Sequence, residues 1–147
     1  MTILVKGGCL CGAVRFSYKE KPLGRRACWC RTCQYMATGN ASLSAFFRTE
    51  TFVLSGPLAS HVSTADSGAT IRRRFSPDRG TPLFAEDLGQ PGVMVVRVGA
   101  LDDREIGGPE STIWTGSAPS WGRVDPAPPS CAAHPAGSCG TGRPFPG

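Results

Sequence analysis

The chain has 147 residues, 40% of them hydrophobic, with 19 Gly and 13 Pro, which allows one modest core in a turn-rich backbone. It holds no run of 18 apolar residues, so a membrane-spanning helix is excluded. The formal charge of +5 raises nucleic acid as a partner, but no base-stacking aromatic pattern accompanies the arginines, and nucleic-acid binding is not expected.

In chain order, Met1 to Lys6 carries an apolar patch too short for a secretory segment. The expected address is therefore the reducing cytoplasm, where cysteines persist as thiolates on metal rather than as disulfides. Cys9-Leu-Cys11 follows, two soft donors that supply half of a four-thiolate cage. Ala13 to Tyr18 alternates, with Val14, Phe16 and Tyr18 on one face, and predicts a strand. Next comes Cys28-Trp-Cys30-Arg-Thr-Cys33. Three thiols on one short loop can hold a zinc ion and leave one tetrahedral position vacant, the arrangement that permits chemistry. A fourth ligand from elsewhere in the chain would instead close the site and make it structural. Cys28, Cys30, Cys33, Cys9 and Cys11 are thus the candidate metal ligands, and zinc is the expected cofactor. Arg25, Arg26 and Arg31 lie close by in sequence and can offset the negative charge of three thiolates on zinc.

Cys33 to Thr38, closed by Gly39-Asn40, is the first helical candidate, and a helix starting there would favour a thiolate at Cys33. Thr51 to Leu54 predicts a short strand. Residues 59–63 and 70–75 flank Ala65-Asp-Ser-Gly68 as an antiparallel hairpin. Arg72-Arg73-Arg74 must alternate faces and reads as a solvated strand edge. Pro82 to Phe84 and Val93 to Val98 predict two more strands, the second apolar enough to be central. A helical turn is expected near Leu101 to Arg104. Trp114 and Trp121 read as core or pocket-wall residues, His61 as an exposed strand residue, and no proton donor is identified. Composition breaks near Gly122, and the last 26 residues hold 5 Gly and 6 Pro. The division expected is a domain over 1–129 and a disordered tail over 130–147, which carries Cys131, His134 and Cys139. The fold class is mainly β: antiparallel sheets clamped by metal, with short helical turns.

Gly7 to Phe16 together with Cys28 to Gln34 resembles the glutathione-dependent formaldehyde-activating enzyme family, whose domain is shared with centromere protein V. The resemblance continues through Ser67-Gly68, Gly80 to Phe84 and Ile113 to Trp121, and covers about residues 5 to 129. It implies a β-tent (Mss4-like) fold with two zinc sites. One is structural, from the Cys-x-Cys pair plus a later Cys-x2-Cys; the other is the three-cysteine site, the implied active site. The implied activity is that of a carbon–sulfur lyase, joining a small-molecule thiol such as glutathione to a small aldehyde, formaldehyde. A non-catalytic or degenerate zinc-binding module is the alternative.

The chain departs from that pattern where the later cysteine pair should stand, at Ser76-Pro-Asp-Arg79. Serine is a poor ligand for a soft metal, and a guanidinium cannot coordinate one. A structural zinc contributes about 10–16 kcal/mol of apparent folding free energy in finger peptides, against about 5–15 kcal/mol of net stability for a whole domain. Cys131 and Cys139 could complete the cage, the site could stand empty with Arg79 paired to a thiolate or to Asp78, or the fold could be compromised. Pinning a proline-rich tail costs entropy, so the empty or weakened site is the expectation. Trp29 stands where relatives often carry His, a change that bears on pocket shape.

Overall fold

Strand pairing dominates the computed structural model, which describes residues 3–134. The elements in order are β1 (Val5–Gly8), β2 (Arg15–Tyr18), β3 (Gly24–Cys28), α1 (Arg31–Met36), β4 (Ser42–Arg48), β5 (Val53–Ser55), β6 (Ala59–Thr64), β7 (Thr70–Phe75), β8 (Pro82–Asp87), β9 (Val93–Arg97) and β10 (Ser111–Ile113). Short 3-10 turns cover Val98–Ala100, Arg104–Gly107 and Thr115–Ser117. A three-stranded sheet runs β1-β2-β5, and a seven-stranded sheet runs β10-β3-β4-β9-β8-β7-β6. The fold is mainly β, as the sequence predicts. Strand pairs are antiparallel except β10 with β3, which is parallel.

The core lies between the two sheets. The alternation in β2 puts Phe16 and Tyr18 inside, and Val14 just before the strand is buried with them. Phe16 meets Phe84 edge-on at 4.9 Å, and Tyr18 stacks on Phe47 at 4.4 Å and on Phe52 at 4.9 Å. Each such ring contributes about 1.5–3 kcal/mol by leaving water. β9 occupies the centre of the large sheet, as its apolar run predicts, with Met94 and Val96 buried. The predicted hairpin forms with Ala59 opposite Phe75 and Thr64 opposite Thr70.

The structure departs from the sequence expectations in three places. The arginine run does not lie on an edge, because β7 is flanked by β6 and β8. Arg72 and Arg74 both pair with Glu86 at 2.9 Å, while Arg73 turns to the opposite face and is only 9% exposed. Trp121 is neither core nor pocket wall, being 64% exposed. Residues 130–134, the start of the sequence-predicted tail, run beside β10: Ser130 bridges to Thr112, and the Cys131 amide donates to the Thr112 carbonyl at 2.9 Å. Cys139 lies outside the described residues. Among the described residues no helix is long and apolar enough to cross a membrane.

Candidate metal centre

β3 ends at Cys28, the chain turns through Trp29 and Cys30, and α1 begins at Arg31. This turn gathers three sulfurs. The ligand atoms of Cys28, Cys30 and Cys33 all lie within 4.8 Å of one another, and among the described residues they are the one group of three or more His, Cys, Asp or Glu residues so arranged. A tetrahedral zinc with sulfurs at about 2.3 Å would space them about 3.8 Å apart, so the trio fits the ion after small side-chain adjustments. Backbone amides already point at the sulfurs: Cys33 N–H donates to Cys30 Sγ at 3.3 Å, and Cys30 N–H to Cys28 Sγ at 3.5 Å. The sequence placed the helix start at Cys33. It falls two residues earlier, so the N-cap thiol belongs to Cys30.

The site is held from behind. Gln34, buried in α1, donates through Nε2 to the Trp29 carbonyl at 2.8 Å and to the Ser117 carbonyl at 3.0 Å. Those two bonds tie the cysteine turn, the helix and the Thr115–Ser117 turn into one unit. Trp29 is 2% exposed and packs so tightly beneath Gly122 that a Cβ there would sit 3.1 Å from its ring. Trp29 therefore fills the support of the site rather than its mouth. Cys30 is buried, and Cys28 and Cys33 are half-buried.

Electrostatics single out one of the three thiols. Cys33 is drawn down to about 2 by hydrogen bonds from Cys28 and Cys30, with Ser42 and the charge of Arg97 assisting against burial. Cys28 is pushed up by those same sulfur contacts and by burial. Cys30 is also raised on balance: its contact with Cys28 lowers it, while Cys33 and burial raise it. Of the cations expected nearby, Arg25 pairs with Glu110 at 3.2 Å, Arg31 bonds the Gln34 side chain, and Arg26 lies over the Phe46 ring at 4.8 Å with Cys28 in its field. The sequence reading missed Arg97. It reaches the site across strand pairs, which no local pattern could signal.

The second cysteine pair forms a different structure. Cys9 and Cys11 stand with their sulfurs 3.4 Å apart on a turn closed by Gly12 N–H to the Cys9 carbonyl at 3.1 Å. Facing it is a turn of the same kind, Ser76 to Gly80, closed by Gly80 N–H to the Ser76 carbonyl at 2.8 Å. Gly12 at φ +80° and Gly80 at φ +65° supply the left-handed backbone that both turns need. Thr81 Oγ1 links the loops by accepting from Leu10 N–H at 3.4 Å. Ser76 is 1% exposed and its hydroxyl lies against Cys9. Cys9 is lowered to about 6, chiefly by the Val14 amide, with Cys11 and Ser76 assisting against burial. Arg79 points outward and is exposed. No third ligand joins Cys9 and Cys11 among the described residues, and Cys131 packs beside β10 instead. His61 is exposed on β6, and His134 lies near Arg26 and Asp87, with burial pushing its titration down.

A mainly β domain with three cysteines converging at a strand end defines a β scaffold whose cysteine turn could hold a metal ion. The family model described as glutathione-dependent formaldehyde-activating enzyme matches residues 4–117, and the chain belongs to that family. A crystal structure of a Rhodobacter sphaeroides protein is similar in fold, with TM-score 0.53 and 20% identity over 71% of this chain and 96% of that one. No curated protein matches the chain.

Proposed function

We infer that the protein is a zinc-dependent carbon–sulfur lyase-type enzyme that joins a glutathione-like thiol to a small aldehyde in the cytoplasm. The observation that carries this reading is the convergence of Cys28, Cys30 and Cys33, three donors that would leave a tetrahedral ion one further position. Family membership supports the same chemistry. When bound, zinc supplies a cation that acidifies a thiol in its fourth position. The protein's own groups do the rest. Two N–H···S bonds hold the sulfurs as acceptors, and the Gln34 bridge fixes the turn. The substrate sulfur forms a bond to the aldehyde carbon, the carbonyl π pair moves to oxygen, and the thiol proton ends on that oxygen. No electron is gained or lost overall. Because this addition also proceeds in water, holding two small reactants together is the main contribution expected of the site.

Ser76 and Arg79 favour a second reading, a non-catalytic zinc module, since half of the structural cage is gone. One assay separates the two. S-hydroxymethylglutathione formation should exceed that of the Cys30→Ser variant by about 100-fold or more, because loss of a ligand costs more than the 10–100-fold typical of outer-shell changes. Equal rates would rule out the enzyme. Nucleic acid remains outside the proposal, since Arg15, Arg25, Arg72 and Arg74 are all paired with carboxylates of the protein itself.

A further inference from the structure

The sheet face that carries Cys28 also carries an unusual set of cations. Cys28 lies opposite Ser42, and two residues along, Ser44 lies between Arg26 on one side and Arg97 on the other. Cross-strand partners share a face, so Ser42, Ser44, Arg26 and Arg97 surround the sulfurs. Arg73 belongs to the same face, opposite Ala85, which is itself opposite Val95. Arg97 donates to Ser44 Oγ at 2.8 Å, and Arg73 to Ser63 Oγ at 2.7 Å. Those hydroxyls orient the guanidiniums but cannot neutralise them.

Among the described residues the ion pairs use Arg15, Arg25, Arg72 and Arg74, and neither Arg73 nor Arg97 has a carboxylate partner. The Arg73 Nε is buried without a hydrogen-bond partner. Asp87 shares the face, yet it accepts from the Gly89 amide and pairs with neither arginine. Burial, with the charge of Arg73 assisting, pushes Arg97 down. Three thiolates around a zinc ion would carry one net negative charge; with Asp87 that makes fewer negative charges than the guanidiniums of Arg26, Arg73 and Arg97 on this face, so the face keeps net positive charge.

The geometry points to Arg73 and Arg97 as a carboxylate-binding subsite beside the cysteine trio, so that the preferred thiol is one carrying a carboxylate. This rests on the thiol reading above. A guanidinium's planar fork matches a carboxylate in two parallel hydrogen bonds, which a hydroxyl neighbour leaves possible. Ser44, where Arg97 is anchored, is one same-face step of on the order of 7 Å from Ser42 and Cys28. That span suits a thiol and a carboxylate separated by a few bonds, as in 3-mercaptopropionate or the cysteinyl-glycine end of glutathione.

The test compares 3-mercaptopropionate with its uncharged amide on the zinc-loaded full chain, by calorimetric titration and by rate with formaldehyde. The wild type should bind the acid about tenfold more tightly than the amide. Arg73→Gln should reduce that preference to about twofold or less at unchanged zinc content, and Arg73→Lys should restore part of it. Arg97→Lys, which keeps the charge but loses the fork, is the second variant. No preference for the acid in the wild type, or a preference intact in both Arg73→Gln and Arg97→Lys, would overturn the subsite. Preference without turnover would leave the subsite standing and remove the enzyme reading. Equal turnover of acid and amide would do the reverse.

Discussion

The two cysteine turns of this protein share a design and differ in how many donors they gather. Both are tight turns whose amides point at sulfur, and each faces a neighbouring loop. At Cys28, Cys30 and Cys33 the three donors sit on one turn, so no distant substitution can remove a ligand. At Cys9 and Cys11 half of the cage that the family resemblance implies would come from a distant loop, which carries Ser76 and Arg79 instead, and among the described residues no third ligand joins the two sulfurs. The Ser76 to Gly80 turn has nevertheless kept its closing hydrogen bond and its left-handed glycine. The hydrophobic contacts of Phe16, Tyr18, Phe47 and Phe84 hold the two sheets together.

Refilling the lost cage gives the strongest test of that contrast. Ser76→Cys combined with Arg79→Cys should raise zinc from one to two ions per chain and lift the melting temperature by at least about 5 °C. If the double variant still holds one zinc, the opposing turns are not a preserved cage. A smaller effect is expected at the intact site. Gln34→Ala removes both bonds that tie the cysteine turn to α1 and to the Thr115–Ser117 turn, leaving two carbonyls short of a partner. It should cost about 1–3 kcal/mol by denaturant titration and lower zinc affinity by about tenfold. Unchanged zinc affinity would mean the trio is held without that support.

The smallest expected effect is a pH dependence at the degenerate corner. Cys9 titrates at about 6 in the fold against 9.0 ordinarily, so its thiolate is favoured by folding. A depressed acid stabilises fully above its unfolded value and loses that contribution as pH falls through its folded one. The melting-temperature gap between wild type and Cys9→Ser should therefore be widest near pH 9 and shrink as pH falls toward 6. A gap that widens on acidification would contradict the assignment.

How legible the molecule was depends on where each signal lies. The β2 alternation, the β6–β7 hairpin and the central β9 follow from local patterns of apolar residues and turn chemistry. β3 and β4 escaped because the face that builds the site is polar: Arg26 interrupts one strand, and buried Ser42 and Ser44 interrupt the other. The chemistry erased the pattern that would have announced the strands. The trio itself was readable from spacing, whereas Arg97 and Arg73 come to it only through strand register. The 130–134 segment was missed for a related reason, since its contacts with β10 are made by backbone groups that composition does not encode.

The central claim is that one cysteine turn holds metal and the other does not. Native mass spectrometry of the intact protein tests it by counting zinc. The account predicts one ion per chain, retained in Cys11→Ser and lost in Cys30→Ser. Two ions in the wild type, or one ion that leaves with Cys11 and stays with Cys30→Ser, would contradict it.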